Sequence, residues 1–338
     1  MLKILGALVA LAVAAGLLVL GWPQLFGLQT TWIIAQAVAM RGLLVGGSLI
    51  AVLVFLGLAA VRPIRALAGS IAGLLLVFSV ANGAILADRG LGGGAPRDGG
   101  DDQVTVLSWN TLGDAPGAQA VAELAVRVKA DVVTLPETTE DAGVRIAETM
   151  RALGRPMWVH TTAYDDYLAA RSTTVLVNPA LGDYHMVTAG TEREQNTKVL
   201  PSVILQPASG TGPTIIAAHA VSPISGQMDN WRDDLRWLAE QCGSGSIIMA
   251  GDFNATLDSM SGLGVDGGTL GSCRDAALQS GDAAVGTWPA GIPPLAGAPI
   301  DHVMATSDWS VEDVHVLDEY DGAGSDHRPI VAHLRHSG

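Results

Sequence analysis

The chain has 338 residues, a formal net charge of −14 and 49% hydrophobic residues, with a mean hydropathy of +0.35. That apolar excess is more than a purely soluble protein carries. The acidic balance argues against a surface that tracks long nucleic acid, because such affinity comes from a basic stripe on the phosphates.

The apolar residues are concentrated at the front. Residues 1–89 hold one acid, Asp88, and five bases, Lys3, Arg41, Arg62, Arg65 and Arg89; residues 90–338 hold 14 bases and 32 acids, a formal charge of −18. Runs at about 4–20, 43–61 and 66–87 are long and apolar enough to span a bilayer. They are apolar all round, unlike amphipathic core helices. A signal peptide fits less well, since the small-residue motif at Ala10–Ala12 lies inside the first run. Lys3 and the "RPIR" turn (Arg62, Arg65) fall on one side if the N-terminus is cytoplasmic; Arg41 falls on the other. Trp22 and Trp32 flank the outer loop. The expectation is a multi-pass cell-membrane protein with residues beyond about 90 outside the cytoplasm. The lipid bilayer is its one inferable partner besides substrate; no protein partner is inferable.

A Gly-rich stretch, "RGLGGGAPRDGGDD" within 89–103, reads as a flexible tether between a membrane region, 1–88, and a globular domain, 104–338. In that domain "VTVLSWN", "DVVTLPE", "STTVLVN", "KVLPSVILQ", "PTIIAAHA", "SIIMAGDFN", "PIDHVMA" and "PIVAHLR" read as strands. "AQAVAELAVRVKA", "DAGVRIAETMRAL" and "MDNWRDDLRWLAEQC" read as helices. Consecutive strands with few interposed helices predict an α/β protein with a mixed sheet or paired sheets and outer helices. Cys242 and Cys273 can form one disulfide in an oxidising compartment, or stay as two buried thiols.

Several apolar strands end in polar clusters. "VLSWNT" presents Asn110, "VVTLPET" Glu137 and "IIAAHAVSP" His219. "IIMAGDFNAT" presents Asp252 and Asn254, "PIDHVMA" Asp301, and "GSDHRPIVAHL" Asp326 and His327. Asp252 and Asn254, two apart, would share one side of an extended strand; an Asx turn is the plainer alternative. Glu137 and Asp326 supply hard oxygens suited to Mg²⁺ or Mn²⁺. Asp252 can take a proton from attacking water, and Asn254 can orient it. His327, bonded to Asp301, becomes a better base and a stable cation, while His219 can donate to a phosphate oxygen.

"GDFNA", "SDHRP", "WN", "IDH" and the strand-borne His219 occur in an order that resembles the endonuclease/exonuclease/phosphatase superfamily, which includes exonuclease III, deoxyribonuclease I, inositol-polyphosphate 5-phosphatases and neutral sphingomyelinases. The resemblance covers about Val104 to Leu334. It implies a four-layer α/β sandwich of two packed mixed sheets, with Asn110, Glu137 and Asp326 at the metal. It also implies Asp252 and Asn254 at the attacking water, His219 on the phosphate and Asp301 orienting His327. Pro136 departs from the Gln that many members carry before the metal-binding Glu.

The expected activity is membrane-anchored, metal-dependent hydrolysis of a phosphate ester, either a lipid head group or a small ester. A nuclease and a non-catalytic tethered binding module are the alternatives. His302 is expected to pack away from Asp301. Trp288, in "GTWP", is weighed as a substrate-stacking residue against a core cap. The run 191–196 reads as a solvated loop, and Arg171, Arg193 and Lys198 as the only candidate basic patch.

Overall fold

The computed structural model describes residues 2–94, 103–165, 167–187 and 195–337. The front is helical: α1 (Leu2–Gly21), the short α2 (Ile34–Ala39), α3 (Arg41–Leu58) and α4 (Arg65–Arg89). Three of these are long and apolar enough to cross a membrane; the apolar windows of α1, α3 and α4 are only 0%, 17% and 28% buried. Exposed apolar surface on that scale marks a lipid or protein contact rather than a water-facing wall. Lys3, Pro63 and Ile64 line one cleft, so the basic residues at the start of α1 and at the α3–α4 turn share the end remote from the globular domain.

The remaining elements are β1 (Gln103–Ser108), α5 (Gly117–Arg127), β2 (Val132–Pro136), α6 (Glu140–Ala152), β3 (Trp158–Ala163), β4 (Ser172–Val177), β5 (Tyr184–Met186), β6 (Val203–Pro207) and β7 (Thr214–His219). They continue with α7 (Met228–Gln241), β8 (Ile247–Asp252), α8 (Leu257–Met260), β9 (Arg274–Asp275), α9 (Ala276–Ser280), β10 (Asp301–Ala305), β11 (Trp309–Val316) and β12 (Ile330–His336).

The strands form two six-stranded sheets, ordered β11-β12-β1-β2-β4-β3 and β5-β6-β7-β8-β10-β9. Each has a parallel pair at its centre, β1–β2 and β7–β8, flanked by antiparallel strands. The crossovers run through α5 and α7, as a parallel pair requires. Strand alternation decides the layers. Val106, Val132, Ile215, Ala217, Ile248 and Val303 fill the core between the sheets. Their neighbours Leu107, Val133 and Leu135 pack under Val121, Leu124, Ile146 and Met150 of α5 and α6, and Ile216, Ile247 and Met249 under Trp231, Leu235 and Leu238 of α7. The result is the four-layer sandwich expected, buried on both faces of both sheets.

The tether expected over 89–103 is helical at Arg89, and its first residues are held in place. Ala283 N–H donates to Arg89 O at 3.0 Å, Ala284 N–H to Gly90 O at 3.1 Å and Gly92 N–H to Gly281 O at 3.1 Å; residues 95–102 lie outside the described residues. The helical front seats directly on the domain. Arg41, out of place by charge alone, is only 3% exposed and gives Nε (2.9 Å) and Nη2 (2.7 Å) to Asp258. Arg89 Nη1 adds a bond to the same carboxylate at 2.8 Å, and Gln24 Nε2 another at 2.9 Å. Gly42 is needed there: a Cβ on it would lie 1.7 Å from Leu295 O. Cys242 and Cys273 are joined by a disulfide, with Cα atoms 5.8 Å apart.

Candidate active site

Ligands in open α/β sheets gather at the carboxyl ends of the strands, and both parallel pairs deliver side chains there. Asn110 and Glu137 follow β1 and β2; His219 and Asp252 end β7 and β8. The parallel register sets His219 against Asp252, and the antiparallel β10 sets Asp301 against Asp252. Tight approach of β7 and β8 explains the glycine in "GDFN": a Cβ on Gly251 would sit 2.0 Å from Ala218 O.

Asn110, 1% exposed, ties the two sheets together. Its Nδ2 donates to Glu137 Oε1 at 3.2 Å and to Asp252 Oδ2 at 3.0 Å, while its Oδ1 accepts Leu112 N–H at 3.0 Å. Glu137 reaches this bond with a left-handed backbone, φ 59°, a conformation that non-glycine residues adopt mainly at functional sites. Burial pushes the Glu137 carboxyl up; the Asn110 bond and His327 oppose the shift, and Asp326 and Asp301 add to it.

Asp252 and Asn254 converge, but not by strand alternation. The strand stops at Asp252 and Asn254 turns left-handed, φ 47°. The turn forms because Asp252 Oδ1 accepts the Asn254 N–H at 2.8 Å, an Asx turn. Asn254 Nδ2 then donates to Asp252 Oδ2 at 3.1 Å and Ala220 O at 2.9 Å. Burial and the neighbouring Asp301 charge raise the Asp252 pKa, against His327 and the two amide donors.

His327 gives Nδ1–H to Asp301 Oδ2 at 2.8 Å and holds Nε2 3.8 Å from Asp252 Oδ2. Burial works against its charge, but Asp301 and Asp252 outweigh burial and raise its pKa. The raised pKa favours the imidazolium, in keeping with the stable cation expected from its bond to Asp301. His219 is the reverse case. It is fully buried, with Thr173 Oγ1 3.2 Å from Nδ1, and burial, then His327, lower its pKa to about 3. Its Nε2 lies 4.0 Å from Glu137 Oε1.

Three buried polar atoms here bond to nothing described: His219 Nε2, Asp301 Oδ1 and Asp326 Oδ1. Buried polar atoms are seldom left so, and together they mark where a ligand's oxygens and a cation would sit. Asp252, Asp301 and His327 bring one ligand-type atom each to within 4.8 Å of one another. The Glu137 carboxylate, bonded by Asn110 on one oxygen, and the unpartnered Asp326 Oδ1 are hard oxygen donors of the kind a divalent cation takes.

Sequence reasoning missed several supports. Trp288 Nε1 donates to Asp326 Oδ2 at 2.9 Å, so that indole fixes a carboxylate. His302, set aside as packing, does turn away from Asp301. It bonds Asp275 Oδ2 through Nδ1 at 2.7 Å and Ala255 O through Nε2 at 2.9 Å, bracing the loop after Asp252. Asn196 is buried, not solvated; its Oδ1 accepts Ser202 N–H at 3.0 Å, and Ser202 Oγ accepts His219 N–H at 3.0 Å. Arg171 is occupied by Asp165 at 2.8 Å, and residues 191–194, Arg193 among them, lie outside the described residues.

Two mixed sheets packed face to face, with carboxylates, carboxamides and imidazoles meeting at one end, are the frame of a phosphoric ester hydrolase. The sequence profile of the Endonuclease/Exonuclease/phosphatase family matches residues 107–327. The chain belongs to that family and is an enzyme of its metal-dependent phosphoesterase type. No curated protein matches the sequence. Among solved structures, an endonuclease/exonuclease/phosphatase from Beutenbergia cavernae DSM 12333 is similar with a TM-score of 0.54 and 21% identity, over 70% of this chain and 72% of that one. A humanized D. rerio TDP2 is similar with a TM-score of 0.54 and 17% identity, over 70% and 100% of the two chains. A mannosyl-6-phosphatase from Bacteroides thetaiotaomicron VPI-5482 gives 0.50 and 16%, over 68% and 99%. At these identities the likeness concerns the fold.

Proposed function

We propose that the protein is a membrane-anchored phosphoesterase that hydrolyses lipid head groups or small phosphate esters, with its globular domain, 104–338, outside the cytoplasm. The observation that carries the chemistry is the meeting of Asp252, Asn254, Asp301, His327 and His219 with unsatisfied buried atoms beside Glu137 and Asp326. Glu137 and Asp326, with Asn110 aligning Glu137, would hold Mg²⁺ or Mn²⁺. Such an ion supplies charge neutralisation on a phosphoryl oxygen and its leaving group.

The chain's own residues do the rest. Asp252, fixed by Asn110 and Asn254, accepts the proton of the attacking water. His327, held cationic by Asp301, balances charge building on the phosphoryl oxygens. Neutral His219 keeps Nε2 for one of those oxygens, and Asn254 fixes the turn that aims Asp252.

The membrane reading draws on the three apolar helices. The outward orientation draws on Lys3, Arg62 and Arg65 at the far end and on the Cys242–Cys273 disulfide, which belongs to an oxidising compartment. The formal charge of −18 over residues 90–338 favours small or lipid esters over long nucleic acid.

The test is a substrate panel for the full chain in bilayers with Mg²⁺: sphingomyelin, phosphoinositides, nucleotides, and single- and double-stranded DNA. Lipid or small-ester hydrolysis should be lost in Asp252→Asn and His327→Ala. Preference for DNA would favour the nuclease reading, and equal rates in wild type and both variants would leave a binding module. A reporter fused after Gly338 and active only in the cytoplasm would reverse the orientation.

A further inference from the structure

A cavity of about 680 Å³ lies between α1 and α4 at their domain ends, within the size range of ligand sites. Its long walls are apolar: Leu17 and Leu18 on one side, Leu74, Val77 and Phe78 on the other. From Leu74 to Arg89 the α4 wall rises about 22 Å, enough for one leaflet's acyl depth of about 15 Å and a head group beyond it. Leu18 and Val77 are 47% and 69% exposed, so the walls stay open towards the surroundings of the helices.

The far end is polar, and only one of its two carboxylates, Asp258, is buried against its two guanidiniums. Arg41 takes both oxygens of Asp258 with two nitrogens, which balances that carboxylate. Arg89 adds only Nη1; its Nε and Nη2 meet no described partner, and the side chain is 14% exposed. A second guanidinium therefore lines the cavity with two nitrogens that meet no described partner. Asp88 also lines the rim, but it is exposed and solvent screens it.

We propose that this cavity binds a membrane phospholipid, its phosphate on the free fork of Arg89 and one acyl chain along the α1–α4 wall. A planar guanidinium fork is the group best matched to a phosphate, and the apolar wall continues into the part of the helices read as membrane-spanning, on which this proposal rests. The lipid is a bound component at a site separate from Asp252 and His327, not the ester under attack.

The experiment uses the full chain in mild detergent, with thermal unfolding and native mass spectrometry read after adding phosphatidylglycerol or a diacylglycerol of the same chains. Phosphatidylglycerol should raise the melting temperature and stay bound as a single lipid, while the diacylglycerol does neither. Arg89→Gln should weaken retention about tenfold. Val77→Trp, which fills the wall and leaves the Arg89–Asp258 bond alone, should abolish retention; Asp252→Asn should retain the lipid as wild type does. Equal stabilisation by both lipids, or undiminished retention in Arg89→Gln and Val77→Trp, overturns the site. Alkaline carbonate extraction separates the two failures: release of wild-type protein from membranes removes the spanning reading itself.

Discussion

Arg41, the first residue of α3, closes a two-nitrogen bridge on Asp258 in α8, just past the turn that carries Asp252 and Asn254. Burial pushes the Asp258 carboxyl up, but the bonds from Arg41 and Arg89 outweigh it and hold the group well below the usual carboxylate range. Its contribution to stability is thus full above the ordinary carboxylate pKa and is lost only as pH falls through the depressed value. Asp258→Asn strands a buried guanidinium and should cost about 3–5 kcal/mol. Thermal unfolding at neutral pH measures it, and hydrogen exchange across 256–263 should rise in the variant. An unchanged melting temperature would mean the bridge is idle.

The Asp301–His327–Asp252 cluster makes a signed pH prediction. Asp301 raises both Asp252 and His327. In the proposed mechanism activity needs Asp252 ionised and His327 protonated, so the rate should rise through the first pKa and fall through the second. In Asp301→Asn both lose their negative neighbour, and both limbs of the bell should move to lower pH. The rate at the optimum should drop about 10²-fold or more. A profile displaced to higher pH would reverse the assigned roles.

Glu137 is half-shielded and its carboxyl is raised by burial, so cation binding there competes with a proton. Isothermal titration with Mn²⁺ should give weaker binding as pH falls through the acid range, and Glu137→Gln should weaken it about tenfold or more. Raising the metal concentration should restore part of the variant's activity. Equal Mn²⁺ affinity in wild type and variant would move the cation elsewhere.

His302 carries the fourth prediction. Burial alone would lower its pKa, yet Asp275 raises it; the two make a buried imidazole–carboxylate pair under the loop that follows Asp252. His302→Ala leaves the buried Asp275 carboxylate without a partner on Oδ2, with only the Leu278 N–H on Oδ1, and should destabilise by about 3–5 kcal/mol. Asp275→Asn with His302→Gln replaces the pair with neutral hydrogen-bonding groups and should recover much of that stability. If the double variant is stable but kcat still falls with KM unchanged, the pair positions Ala255 as well as filling space.

Much of the site could be read from strand ends. Apolar runs that stop at Asn110, Glu137, His219 and Asp252, or start at or just after Asp301 and His327, mark both the sheets and the side chains, because strand burial and site placement share one period. The supports could not be read that way. Asp275 sits in a two-residue strand, too short for any periodicity, and meets His302 27 positions on. Trp288 and Asp326 are 38 apart, and Arg41 and Asp258 217 apart; no local rule spans such gaps. For Asn254 the Asx-turn alternative is the one that forms: the bond from its N–H to Asp252 Oδ1 ends the strand before alternation can apply.

Gln36 donates to Pro223 O, Arg41 holds Asp258, and Gly42 lies against Leu295. Each contact falls on a loop leading out of, or into, a strand that carries site residues. On the proposed membrane reading, these contacts would hold the site at one height above the helices. Selectivity would then begin as a question of elevation, before any side chain tests the substrate.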